Sequence, residues 1–211
     1  MPTALVTGGA VRIGRSIALH LAERGYNIAL HYWSSKESAE QTAEELRKFN
    51  IQCKIYCVDF TNFGSIPLLM DQVLVDFNSI DLLVNSAANF IQKNLEKTSD
   101  IELLDTININ LMAPFILMRE FKNKVNKGLI INILDERILR RVSTFSAYSI
   151  SKSALAHLTE LSAVSWGETI RVNGIAPGLI LPPSGSSHDY LKKRAPNIPT
   201  KTHGSTSDIL R

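Results

Sequence analysis

Six short apolar runs punctuate the chain, at Ala4 to Thr7, Asn27 to Tyr32, Lys54 to Asp59, Asp81 to Asn85, Leu129 to Leu134 and Arg171 to Ala176. Several are apolar at both odd and even positions. A strand with one solvated face alternates, whereas a parallel strand covered by helices on both faces does not, so these runs predict buried parallel strands. Between them, apolar residues recur at helical spacing, as at Ile17, Ala18, Leu21 and Ala22, and again at Ala147, Leu155, Leu158 and Leu161. Alternating strands and helices predict an α/β fold: a Rossmann-like, doubly wound parallel sheet in three α/β/α layers. No internal repeat, low-complexity tract or linker interrupts the pattern, and residues 1–211 read as one domain.

Ligands of such sheets bind at the carboxyl ends of the strands. Gly8 follows the first run, Asp59 and Phe60 the third, Asn85-Ser86-Ala87 the fourth, Asp135 the fifth and Pro177-Gly178 the sixth, so one crevice is expected to collect them. The first junction, Thr7-Gly8-Gly9-Ala10-Val11-Arg12-Ile13-Gly14, is a glycine turn leading into a helix. Exposed amides and the helix macrodipole favour a phosphate group there, and glycine permits close approach.

The stretch from Asp135 to Tyr148-Ser-Ile-Ser-Lys152 offers an acid, a phenol and an ammonium, and reads as an active site. Tyr148 and Lys152 are four apart, so both emerge on one face of a helix. An ammonium about 4 Å from the phenol contributes on the order of 4 kcal/mol, roughly three pKa units, which would bring Tyr148 near neutrality. The carboxylate of Asp135 opposes that effect and keeps Tyr148 protonated longer, as a donor.

Composition narrows the function classes. The net charge is +3, with dispersed lysines and arginines, which argues against a nucleic-acid surface. No run approaches the roughly 18 apolar residues of a membrane helix, and no basic leader precedes Thr3, so no membrane is expected and the cytoplasm is the default. Cys53 and Cys57 lie in an extended run, about 13 Å apart, too far for a disulfide, and both are expected to be buried thiols. The 5 histidines lack metal-ligand spacing, so no metal is expected.

The ordered set Thr7-Gly8-x-x-x-Arg12-Ile13-Gly14, Asp59, Asn85-Ser-Ala87, Asn110, Asp135, Tyr148-x-x-x-Lys152 and Asn173-Gly-Ile-Ala-Pro177-Gly178 resembles the short-chain dehydrogenases/reductases over nearly the whole chain. Arg12 in place of glycine, the His31-Tyr32 pair followed by serines, and aspartate at 135 where most relatives carry serine resemble the pteridine and dihydromonapterin reductases. That resemblance implies an NADPH-dependent reductase of a pterin, delivering a proton from the Tyr148 and Asp135 couple to a ring nitrogen. It assigns the pyrophosphate turn to Gly8, Ile13 and Gly14, the adenine to Asp59 with Phe60 beside it, and the nicotinamide-side ribose to Asn85, Ser86, Ala87 and Lys152. Asn110 would support a water relay to Lys152, Pro177 and Gly178 would flank the cofactor, and Phe90 would sandwich the substrate. Arg12 offers a forked cation to phosphates. Trp33, Ser34 and Ser35 follow His31 and Tyr32 where an NAD-selective enzyme carries a carboxylate, which favours NADPH. Ser34 and Ser35 also suit the cap of the following helix.

Other features depart from that pattern. Trp33-Ser34 replace an arginine, Ser86 a second asparagine and Ala88 a serine. The last residues, Thr206-Ser-Asp-Ile-Leu-Arg211, read as the first turn of another helix capped by Ser207, with the family's seventh strand still to come. A chain shortened there would leave the sixth strand an unprotected edge and alter the contacts by which the family forms homo-oligomers. Besides pterin reduction, the sequence leaves open another carbonyl reductase, such as a 3-oxoacyl-carrier-protein reductase, or a non-catalytic nucleotide-binding chain.

Overall fold

The computed structural model describes residues 1–140, 143–183, 185–187 and 189–210. Among them, a six-stranded sheet runs in the order β3-β2-β1-β4-β5-β6, from β1 (Thr3–Thr7), β2 (Asn27–Tyr32), β3 (Cys53–Cys57), β4 (Leu82–Asn85), β5 (Gly128–Ile133) and β6 (Ile170–Ile175). Every pairing is parallel. The six predicted runs match these strands to within two residues at each end.

All residues of β1 and β4 are buried, as the continuous apolar runs require. Successive residues enter opposite layers. Ala4, Val6, Leu82 and Val84 pack with Ile17 and Ala18 of α1 (Arg12–Glu23) and with Ala43 and Leu46 of α2 (Lys36–Arg47). Leu5, Leu83 and Ile130 pack on the other face against α3 (Ser65–Phe77) and, beyond α4 (Asp100–Ile107), against α5 (Ala113–Lys124). The same layer includes α6 (Ser146–Trp166), and a short α7 (Tyr190–Arg194) follows β6.

Helices α4 and α5 are joined through a π turn, Asn108–Met112. Contrary to the sequence expectation, the continuous run Asp100–Lys124 is long and apolar enough, by length and composition, to cross a membrane. Leu117, Met118 and Phe121 on it are fully buried inside the protein, which is the placement of a core helix.

The chain moves outward from β1 to β3, then returns to lay β4 on the other side of β1. That reversal opens a crevice at the carboxyl ends of β1 and β4, where the glycine turn and Asn85-Ser86-Ala87 lie. Near the end of the chain, a single turn at Thr206–Asp208 is capped reciprocally by Ser205 and Asp208, so the cap falls on Ser205 rather than Ser207. Among the described residues the sheet has β3 at one edge and β6 at the other.

Candidate active site

Close backbone approach defines the glycine turn. Gly8 has φ +62°, and a Cβ there would stand 2.8 Å from Ala87 Cα, while a Cβ on Gly14 would overlap the Gly8 carbonyl oxygen. Thr7 fixes the facing segment: its Oγ1 accepts from Ser86 N at 3.0 Å and Ala87 N at 3.1 Å. Ile13 turns inward against the core. The turn and the β4 exit are thus one rigid cradle, whose backbone amides suit a phosphate.

His31 supports that cradle from below. Its Nδ1 accepts from Gly8 N–H at 3.1 Å, which leaves Nε2–H to donate to Val58 O at 3.0 Å. The ring stacks on Phe60, centroids 4.0 Å apart. Burial pushes the imidazole down to about 4, against the opposing pull of the Val58 carbonyl. His31 and Phe60, both nearly fully buried, therefore shape the pocket floor. The unfolded chain takes up this proton near pH 6.5 and the native one only near 4, so stability is complete above 6.5 and falls by about 3 kcal/mol as pH drops through that window. Urea unfolding at pH 7 and pH 4.5 should show that loss, and His31→Gln should remove its share; an unchanged slope would contradict the assignment.

A cavity of about 370 Å³ opens beside the turn, lined among others by Gly8, Tyr32, Trp33, Ser34, Asp59 and Ala87. Ser35 also lines it and stands at the N-cap of α2 without a side-chain cap bond, so capping does not engage its hydroxyl. Asp59 Oδ1 accepts from the Thr61 amide at 2.8 Å and its hydroxyl at 2.7 Å, which fixes the carboxylate at the cavity edge. Arg12 holds φ +55°, a left-handed conformation that costs a non-glycine residue roughly 1–2 kcal/mol, and its Nη2 donates to Pro182 O at 2.7 Å. It thereby ties the glycine turn to the loop after β6. A tight glycine cradle with exposed amides beside an open cavity suits the phosphate end of a nucleotide. A second hollow, between α1 and α2 where Leu210 lies, contains none of the predicted site residues.

Tyr148, Lys152 and Asp135 do not line this cavity; they connect to its wall at Asn89 through Phe90, which meets Tyr148, and through Asn110, which bonds both Asn89 and Ser151 of α6. Tyr148 and Lys152 emerge from one face of α6, at 6% and 2% exposure. The buried stripe of α6 continues through Leu155 and Thr159, whereas Leu161, expected on it, is exposed. Tyr148 OH donates to Asp135 Oδ2 at 3.0 Å. Lys152 Nζ donates to Ile133 O at 2.6 Å, and burial lowers the ammonium to about 8 while the Asp135 charge opposes the shift.

These contacts revise the expected phenol. The Lys152 ammonium is 5.8 Å from the Tyr148 ring centre and committed to a carbonyl. Burial is the largest influence on Tyr148, followed by the Asp135 charge and hydrogen bond; together they push its pKa well above the ordinary phenol value, with Arg137 opposing. Tyr148 is a protonated donor, not a phenol near neutrality.

Asn110 lies in the π turn, a local irregularity that often marks functional positions. Its amide holds both backbone groups of Asn89, at 2.7 and 2.9 Å, and reaches Ser151 Oγ at 3.0 Å. Its direct task is therefore to fix the chain leaving β4 over α6. Asn85 differs from expectation: its buried side chain turns into the sheet and donates to Asn132 Oδ1 at 2.8 Å, where it braces β4 against β5. Pro177 reaches the site through its carbonyl, which accepts from Glu136 N at 3.1 Å; among the described residues nothing approaches the open side of Gly178. Cys53 is buried as expected, but Cys57 is exposed.

Phe90 is 41% exposed, edge-on to Tyr148 at 4.7 Å and stacked on Phe145 at 4.8 Å. It is a wall of the site rather than a core residue. Arg137, absent from the residues that the sequence singles out, binds both oxygens of Asp135. Its only sequence signal was its place two residues after the acid.

A glycine cradle, an open cavity and a buried Tyr-Lys pair at the ends of a parallel sheet form the arrangement expected of a nicotinamide-dependent oxidoreductase. A profile of the short chain dehydrogenase family matches residues 2–189, and the chain belongs to that family. It is 30% identical to a 3-oxoacyl-(acyl-carrier-protein) reductase of Staphylococcus epidermidis over 98% of this chain and 87% of the relative. It is 31% identical to the enzyme of that name from Staphylococcus aureus, over the same shares. A dehydrogenase/reductase from Sinorhizobium meliloti superposes with TM-score 0.92 at 30% identity, covering 99% of this chain and 84% of that one. An NAD+-bound xylitol dehydrogenase superposes with TM-score 0.88 at 26% identity, covering 99% and 89%. These names support the family placement, but not the narrower resemblance to pteridine reductases.

Proposed function

We propose that the chain catalyses the NADPH-dependent reduction of a carbonyl group, with Tyr148 as proton donor and a 3-oxoacyl thioester as the substrate type. The observation that carries this reading is the Tyr148 hydroxyl, held by Asp135 at the same end of the sheet as the glycine cradle, with Lys152 buried behind it. A bound nicotinamide supplies the hydride. Tyr148 stays protonated through the neutral range and donates to the carbonyl oxygen. Lys152, an ammonium below about pH 8, offsets the charge left on the phenol and can reach a ribose hydroxyl. Arg12, whose strained backbone is retained beside the cradle, and the lack of a carboxylate at Trp33-Ser34-Ser35 support NADPH over NADH.

Asp135 and the exposed ring of Phe90 favour a second reading, a flat dihydropterin reduced at a ring C=N bond. Against it, both Asp135 oxygens are already engaged by Arg137. NADPH oxidation should be measured with acetoacetyl thioester, dihydrobiopterin and dihydromonapterin, and with NADH in parallel. The carbonyl reading expects the thioester to be turned over faster than either pterin. Faster pterin turnover would replace it with the second reading, and equal use of NADH would overturn the cofactor choice.

A further inference from the structure

Arg137 shares Asp135 with Tyr148, and both bond Oδ2. Its Nη1 spans the carboxylate at 3.0 and 2.9 Å, and its own amide adds a third bond to Oδ1 at 2.9 Å. The guanidinium lies 4.6 Å from the Phe145 ring centre and 5.6 Å from that of Phe90, so it is wedged in an aromatic corner. Side-chain exposure is 21% for Arg137 and 14% for Asp135, which shields the pair from water and salt. Among the described residues, Arg137 Nε is buried without a hydrogen-bond partner, a cost that a loosely held surface arginine would avoid by turning outward. Asp135, which N-caps the short turn Glu136–Leu139, thus has acceptor sites on both oxygens filled by a cation and a phenol.

A carboxylate in that state has little capacity left to receive a protonated ring nitrogen or an amino group of a substrate. We propose that Arg137 is a specificity-determining residue: by occupying Asp135 it excludes cationic nitrogen heterocycles from the site, while a neutral carbonyl that enters takes the single Tyr148 hydroxyl proton in place of Asp135 Oδ2. The inference rests on the carbonyl-reductase reading. It makes Arg137 a positioning residue that acts through Asp135, while Phe90 keeps its exposed ring for whatever enters.

A binding experiment tests this without turnover. The protonated form of 2,4-diaminopyrimidine, a flat cation, is titrated calorimetrically into the full chain, with and without NADP+. Arg137→Met keeps bulk against the two phenylalanine rings, Arg137→Gln keeps a polar head, and Arg137→Lys keeps the charge. The Met and Gln variants should bind the cation about tenfold or more tightly than the unmodified protein, since a charge-assisted bond to Asp135 becomes available, and Arg137→Lys should stay close to the unmodified protein. Adding Asp135→Asn to either should erase the gain. Thermal unfolding identifies a variant that fails to fold, in which case the other decides. Affinity unchanged in a folded Met or Gln variant, or a gain that survives Asp135→Asn, would overturn the proposal. A gain in binding from a protein that does not reduce acetoacetyl thioester would sink the carbonyl reading alone. In kinetics, the ratio of pterin to thioester turnover should rise in the Met variant, whereas a merely structural role would lower both together.

Discussion

Tyr148→Phe should reduce turnover of every substrate by ~10²–10⁴-fold while leaving NADPH affinity within about twofold. The substitution deletes one oxygen. The ring remains edge-on to Phe90 on α6, so the fold and the aromatic wall should persist. What disappears is the hydroxyl that donates to Asp135 at 3.0 Å and whose proton is retained through the neutral range. Water is a poor substitute at a position 6% exposed. Steady-state kinetics with cofactor binding followed by fluorescence checks both halves. A Phe variant retaining more than about a tenth of the activity would assign the proton to another group.

Lys152→Met should be nearly as damaging, on the order of 10²-fold or more in kcat, because it removes the fully buried positive charge at the site. The ammonium also anchors the end of β5 through Ile133 O at 2.6 Å, so part of the loss should appear as a lower unfolding temperature. A pH profile separates the two roles. Lys152 is charged below about 8 and neutral above it, so kcat of the unmodified enzyme should fall as pH rises through that value. The residual activity of the Met variant should lack that alkaline limb. An identical limb in the variant would show that another group titrates there.

The fold was legible because its signal is redundant. Six runs, several of them apolar on both parities and each returning through a helix, leave few arrangements other than a parallel sheet, and the strand ends then place Gly8, Asp59 and Asp135 at one edge. The spacing of Tyr148 and Lys152 likewise fixed their common face, because helical geometry is local. Rotation about the helix was less certain: the stripe through Leu161 was displaced by one carrying Thr159 and Ser162, and the Thr159 hydroxyl is satisfied by donating to Leu155 O. Side-chain direction was the least accessible. Asn85 could face a ribose or a neighbouring strand, and the choice depends on Asn132, distant in sequence. Arg137 was overlooked for a similar reason. Its partner is two residues away, but its value depends on Phe90 and Phe145, which only the folded chain brings over it.

The central claim is tested most directly by following deuterium from C4-labelled NADPH into acetoacetyl thioester, with the unmodified protein and with Tyr148→Phe. The account predicts label on the carbon that becomes the hydroxyl-bearing centre, at a rate that falls by ~10²-fold or more in the variant. No transfer by a folded, NADPH-binding protein, or undiminished transfer by Tyr148→Phe, would contradict it.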